Sequence, residues 1–570
     1  MKRIATIIMS LALIGLTLAQ PPRKEEEDPK SKGKTFTPID IDSFPDPKSP
    51  FKPAPKAKEP GAPEGPGVTP GKGVLVVGVR HLPERMSPGR AHTDPERWAL
   101  DLIFEGLVRP TTLDGGTTFI AGLAIGPPRS ELGGRAFTLD PNATWSDANH
   151  SPVLAGDALS SVERLRAAGD LTLADAFSDA PRRLRLTFRS LHPDPAALCT
   201  FKITPAGRDD DQFAQQPIGS GPFMYAGHVN EGKRDYVVFK ANPQYNQRAG
   251  RANRPQLREV RFLAGAEPLA DFRRGVVDIV LEENTTALAA AAPAPEPKEE
   301  AIARLESGLG PDARMATRPS RRIYYLAINP IKTALGGDNG RNLRRAIALG
   351  INREKILDDT WRQAGQPFHH ALTGPFPSGT WPCDPVAGSL DDVSLARSEL
   401  KAGKPAGGKL SLVYPVGEPL TEKACTLIAS QLTQLGIPTE AKPLSEQDFR
   451  KVVFTEKTYD LAWRHFDYRD DWFDPASLFT PENGGIAGAG TGPSRLESAL
   501  ARCAARCEFA ALRDARRRLH AEFREVMPFV PLWSPDVHIV LKRAVETAPA
   551  PDLLDPMQPF IEIERWRVNR

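Results

Sequence analysis

The run Val74-Leu75-Val76-Val77-Gly78-Val79 offers no polar side chain to solvent, so a strand built from it must be covered on both faces. A sheet covered on both faces needs helices, and the chain supplies them in alternation. Helical apolar spacing appears near residues 96–105, 158–168, 342–357, 422–435 and 501–526, the last of these Arg-rich and ending before Pro528. Strand-like stretches lie between them at residues 182–188, 322–329 and 410–414. This interspersion predicts an α/β fold with mixed sheets. At 570 residues the chain is too long for one core and predicts two or three domains.

Ahead of Gly73 the pattern changes. Lys2 and Arg3 precede an apolar run from Ile4 to Leu18 that closes on small residues, the three regions of a secretory signal, and cleavage is expected after Ala19. At about 15 residues the run is shorter than the roughly 20 that a membrane-crossing helix needs, so an exported protein in the periplasm or cell envelope is predicted. The first cysteine is Cys199, so a lipidated cysteine directly after the signal is not expected. Residues 20–72 mix proline, lysine, glutamate and glycine with few large apolar side chains, and predict a disordered linker. A second low-complexity patch, residues 289–299, reads as a surface loop or insertion.

Several chemistries find no support. Lys and Arg number 74 against 71 Asp and Glu, and the formal net charge of +3 gives no electrostatic case for a nucleic-acid partner. Five cysteines in an oxidising compartment leave at least one unpaired within the chain. Cys503 and Cys507, four apart in a helical context, share a face and lie within possible reach of each other, but without histidine partners they predict no metal site. The aspartates near residue 470 lack the glycine and spaced acceptors of a calcium loop. No Gly-x-Ser-x-Gly elbow or His-Glu-x-x-His helix is present, so no enzyme and no cofactor is expected. Gly219-Ser220-Gly221 is followed by no Lys-Ser/Thr pair and reads as a structural turn rather than a phosphate cradle.

Seven segments in order carry a resemblance. They are Leu102-Ile103-Phe104-Glu105-Gly106-Leu107-Val108; Trp145-Ser146-Asp147 with Ala155-Gly156-Asp157; Pro217-Ile218-Gly219-Ser220-Gly221-Pro222-Phe223; Asn242-Pro243-Gln244-Tyr245; Gly275-Val276-Val277-Asp278-Ile279; Leu343-Arg344-Arg345-Ala346-Ile347 with Ile351-Asn352-Arg353-Glu354; and Pro528-Phe529-Val530-Pro531-Leu532. Together they resemble the family 5 extracellular solute-binding proteins, the oligopeptide, dipeptide and nickel receptors of ABC transporters. The resemblance implies a two-lobed, class II periplasmic-binding-protein-like fold with a hinge between lobes and an extra subdomain in the first lobe. Its expected bounds are 73–325 for the first lobe, with the subdomain at about 116–212, then 326–530 for the second lobe and 531–570 for the return. It also implies a monomeric receptor that captures a peptide or similar small solute between the lobes and hands it to permease subunits. The alternative is an envelope protein that keeps the fold for protein contacts.

Candidate ligand contacts cluster in Trp463-Arg464-His465-Phe466-Asp467-Tyr468-Arg469-Asp470-Asp471-Trp472-Phe473-Asp474-Pro475. By the resemblance, Asp467 matches the carboxylate that pairs with a peptide's terminal ammonium, with Phe466 and Tyr468 beside it. On its residues alone, Asp467 reads equally as one of several turn-forming aspartates ahead of Pro475. Where dipeptide-binding relatives place an arginine after a strand, this chain has Glu418, which would disfavour anionic dipeptides and favour cationic or neutral solutes. Tyr414, Trp463 and Trp381 are pocket walls or plain core.

Overall fold

The computed structural model describes residues 73–569 apart from 114–115, 168–171, 190, 209, 285–287, 289–295, 330, 333, 363–365, 404–406, 481–482 and 484–494. The expected signal, the expected linker and most of the patch at 289–299 lie outside the described residues. In chain order the strands are β1 (Val74–Val79), β2 (Val108–Leu113), β3 (Gly116–Ala121), β4 (Arg129–Glu131), β5 (Gly134–Thr138), β6 (Leu173–Ala180), β7 (Arg183–Phe188), β8 (Phe223–Glu231), β9 (Arg234–Ala241), β10 (Glu259–Ala264), β11 (Ile279–Glu282), β12 (Ala313–Pro319), β13 (Arg322–Ile328), β14 (His370–Ala371), β15 (Leu410–Pro415), β16 (Thr439–Leu444), β17 (Leu461–Asp467), β18 (Phe529–Ser534), β19 (Asp536–Lys542), β20 (Val545–Glu546) and β21 (Arg567–Val568).

Two large mixed sheets organise them, one ordered β12-β19-β11-β1-β10-β9-β8 and the other β14-β18-β13-β17-β15-β16. β1 runs through the centre of the first, parallel to both β10 and β11, with Leu75 and Val77 fully buried. An uninterrupted apolar strand belongs in such a place, since neither face meets water. The hairpin β2-β3, the sheet β4-β5-β7-β6 and the helix Ala155–Ala167 close on a separate core of Leu107, Phe137, Trp145, Leu184, Leu186 and Ile203. This is the extra subdomain of the first lobe.

The chain passes between the large sheets twice, at Ser320-Arg321 after β12 and at Pro535 after β18. The crossings lie side by side, the Ser320 N–H donating to the Pro535 carbonyl at 2.9 Å. Because β12 pairs with β19 and β13 with β18, both antiparallel, one ladder continues from lobe to lobe. The strands of the second large sheet all lie between Arg322 and Ser534.

Two expected helices are each a pair. The 342–357 stretch divides into Arg341–Leu349 and Arg353–Asp359, because Asn352 caps the second helix by accepting from the Lys355 N–H at 2.8 Å. The 501–526 stretch divides into Arg495–Ala504 and Phe509–Val526, with Glu508 accepting from the Ala510 and Ala511 N–H groups at 2.9 and 2.8 Å. Cys507 consequently sits exposed in the intervening turn while Cys503 is buried, and all five cysteines are free thiols. The shared helical face expected for these two does not form.

The turn at residues 217–223 is structural. A Cβ at Gly219 would overlap the Ile103 carbonyl oxygen, and the Gly221 N–H donates to that same carbonyl at 2.8 Å. Asn242 fastens the turn from the other side, its Nδ2 donating to the Gly221 carbonyl at 2.9 Å. The glycines therefore let the turn lie directly on the end of the helix Asp94–Ile103.

Candidate functional site

The helix Asp94–Ile103 begins with a capping box, in which Thr93 accepts from the Glu96 N–H and Glu96 accepts from the Thr93 N–H. That cap orients the first turn, with Asp94 and Arg97, toward the second lobe. There β13 and β17 pair so that Arg322 stands directly opposite Asp467. The four side chains meet as a ring of alternating charge. Arg322 holds Asp467 through Nε at 2.8 Å and Nη2 at 3.0 Å, and Asp94 through Nη2 at 2.7 Å and Nη1 at 3.0 Å. Arg97 completes the ring, reaching Asp467 Oδ2 at 3.2 Å and Asp94. Arg322 is 7% exposed and Asp467 19%, whereas Asp94 and Arg97 are each about one-third open to solvent.

Two further groups flank the ring. Glu283, just after β11, accepts from Arg322 at 3.3 Å and from the Tyr324 hydroxyl at 2.9 Å. His465 Nε2 lies 3.9 Å from Asp467. Burial alone would raise the Asp467 carboxyl, but Arg322, with His465 and Arg97, holds it down to about 2. Asp94, likewise desolvated, is kept well below the usual carboxylate range by Arg322 and Arg97. Glu283 goes the other way. Burial, reinforced by the Asp94 and Asp467 charges, overrides Arg322 and pushes it up to about 7. Burial, with Arg322 and Arg97 adding to it, presses His465 down to about 4.

The elevated Glu283 carries a pH prediction. Its native pKa near 7 exceeds the ordinary 4.5, so the native state holds this proton more tightly than the unfolded chain. The favourable contribution is complete below 4.5 and is lost as pH rises through 7. Glu283→Gln, which mimics the protonated form, is expected to gain on the wild type by on the order of 2 kcal/mol between pH 5 and pH 8. Thermal unfolding of both proteins at the two pH values checks this, and a constant difference would contradict it.

Behind Tyr324 lies an aromatic wall. Trp463 sits 5.4 Å from Tyr324 and 5.5 Å from Trp533, and Trp361 lies 5.0 Å from Trp533. The other expected contacts spread widely. Tyr414 and Trp463 are 3% and 5% exposed and belong to the second-lobe core. Tyr468 is buried, its hydroxyl donating to the Pro375 carbonyl at 2.8 Å, and half-buried Phe466 meets it edge-on at 5.0 Å. Trp381 lies apart from the ring, its Nε1 donating to the Asp471 carbonyl at 2.9 Å and Arg516 lying over its face at 5.0 Å. Glu418 is exposed ahead of the helix Pro419–Leu435, and its charge reaches Glu282 of the first lobe, which pairs with Arg80 at 3.3 Å.

The turn-forming role belongs to neighbours of Asp467. Asp470 accepts from the Trp472 N–H at 2.9 Å and Asp474 from the Ala476 N–H at 3.1 Å. Residues 469–472 also bridge to the subdomain: Arg469 donates to Thr172 at 3.3 Å, Thr117 donates to Asp471 at 3.2 Å, and the His192 and Trp472 rings meet edge to face at 5.9 Å. Asp94, Arg97, Glu283 and Arg322 had no signal in the sequence, because each reaches the site through long-range pairing. Among the described residues no cluster of metal-ligating side chains is present, and no helix is long and apolar enough to cross a membrane.

The family model described as bacterial extracellular solute-binding proteins, family 5, middle, matches residues 134–485. The fold is similar to that of the oligopeptide-binding protein AppA of Bacillus subtilis in complex with a nonapeptide, at 15% identity over 87% of this chain and 99% of that one, with a TM-score of 0.69. The dipeptide-binding protein of Pseudoalteromonas sp. SM9913 with Met-Leu is 16% identical over 87% and 100%, with a TM-score of 0.68. NikZ of Campylobacter jejuni with Ni(L-His) is 14% identical over 87% and 99%, with a TM-score of 0.65. No curated protein matches the sequence.

Proposed function

Since the chain belongs to the bacterial extracellular solute-binding proteins of family 5, we propose that it is an exported, monomeric receptor that captures a peptide or similar small solute between its lobes and delivers it to the permease subunits of an ABC importer. The observation that carries this reading is the meeting of charged groups from both lobes beside two adjacent crossings, a geometry suited to closure about a hinge. Ligands enclosed by two lobes gain affinity by burying most of their surface, and polar groups from both sides orient them. The similar structures hold a nonapeptide, a dipeptide and a nickel–histidine complex, so the fold leaves the solute to the residues of the cleft.

Native mass spectrometry of the purified mature protein, with extraction of whatever co-purifies, tests the reading. A stoichiometric small ligand is the expected result. An empty protein that gains no thermal stability from a broad panel of solutes overturns it in favour of an envelope protein using the fold for protein contacts.

A further inference from the structure

We infer that Arg97 and Arg322 are specificity-determining residues of the cleft: they serve as the chain's own counter-ions to Asp94 and Asp467, so the cleft takes solutes presenting a neutral amide or hydroxyl at this end and rejects those presenting a free ammonium. This rests on the reading of the interlobe cleft as the solute site.

The argument begins with charge balance. A half-buried carboxylate between two lobes is the natural seat for a cationic ligand group, because a desolvated cation needs a close counter-charge. At Asp467 both oxygens are already engaged. Arg322 grips them in the bidentate geometry that suits guanidinium to carboxylate, at 2.8 and 3.0 Å, and Arg97 approaches Oδ2 from the first lobe at 3.2 Å. Arg97 therefore occupies the position an incoming ammonium would take. Asp94 is held in the same way by the same two arginines. The ring contains two cations and two anions and closes on itself.

Adding an ammonium forces one of two outcomes, both unfavourable. Either it displaces Arg97 from Asp467 and leaves that guanidinium to Asp94 alone, or it enters beside a carboxylate whose two oxygens are already paired and gains little from it. A neutral amide or hydroxyl does neither. The uncharged neighbours available to it are the exposed edge of His465 and the hydroxyl of Tyr324. Glu418 works in the same direction for anions, since its charge lies near Glu282 on the cleft's far side, although its exposure weakens it.

The probes are Ala-Ala-Ala and N-acetyl-Ala-Ala-Ala, titrated calorimetrically into the full-length wild type, Arg97→Ala and Arg97→Lys. The wild type is expected to favour the acetylated peptide at least tenfold. Arg97→Ala, which removes one of the two guanidinium contacts to Asp467 Oδ2, is expected to raise affinity for the free-amine peptide at least tenfold and so to abolish the wild-type preference. Arg97→Lys restores a cation and should restore the wild-type preference, which separates charge from any loss of folding. A wild type that prefers the free-amine peptide overturns the inference, as does an Arg97→Ala protein that binds neither peptide or keeps the wild-type ratio. The receptor reading is decided separately by the co-purified ligand, so it can stand when this inference falls.

Discussion

Arg322→Ala is expected to lower the unfolding free energy by about 3 to 5 kcal/mol, because it strips the shared partner from two carboxylates that fold into the interlobe ring. Asp467, 19% exposed and opposite Arg322 on the paired strands, bears most of that cost. Asp94 is about one-third open and is compensated in part by solvent and by Arg97, which places the effect toward the lower end. Urea unfolding at pH 7 measures it. The loss should shrink as pH falls, because without Arg322 the burial of Asp467 raises its carboxyl, so the variant takes up this proton, and sheds the uncompensated charge, at a higher pH than the wild type does. A loss below about 1 kcal/mol at neutral pH would mean that water, rather than Arg322, satisfies the two aspartates.

Trp533→Ala has an effect of similar size from a different source. Trp533 is fully buried on β18, with Trp361, Trp463 and Tyr324 around it at 5.0, 5.5 and 6.2 Å between ring centroids. Truncation removes the transfer free energy of the indole and leaves a void among rings too rigid to close it, for an expected loss of about 3 to 5 kcal/mol. The same rings lie behind Tyr324, which donates to Glu283, so the void also loosens the floor beneath the ring of charges. Trp533→Phe, which refills most of the volume, should recover a substantial part of the loss. Equal destabilisation by Ala and Phe would show that packing is not the cause.

Much of the fold is legible in the sequence. The apolar run at residues 74–79 demanded a strand with both faces covered, and β1 lies at the centre of its sheet between two parallel neighbours. The glycines at 219 and 221, read as a structural turn, lie against the Ile103 carbonyl where no side chain fits. Helix ends were less legible. The two long helical patterns each broke at a capping residue, Asn352 and Glu508, whose side chains satisfy the N–H groups of a new helix instead of continuing the old one. Apolar periodicity persists across such a break, because both helices bury the same side of the chain.

The site was legible only in part. Asp467 stands out in the sequence as a candidate ligand contact, but its partners do not, since Arg322 is 145 residues away in sequence and Asp94 and Arg97 lie farther still. Tyr414 and Trp463 look alike in sequence whether they line a pocket or fill a core, and burial alone distinguishes the two.

What the sequence by itself determined is local in origin: which stretches alternate, which face must be hidden, where glycine must stand, and the ordered landmarks of a two-lobed solute-binding family. Those properties follow from side-chain size, polarity and spacing along a few neighbouring residues. The charge state of the cleft is a property of convergence. Asp467 carries the same carboxyl group in any context, and only the tertiary structure, by bringing Arg322 across the sheet and Arg97 from the helix Asp94–Ile103, pairs both of its oxygens.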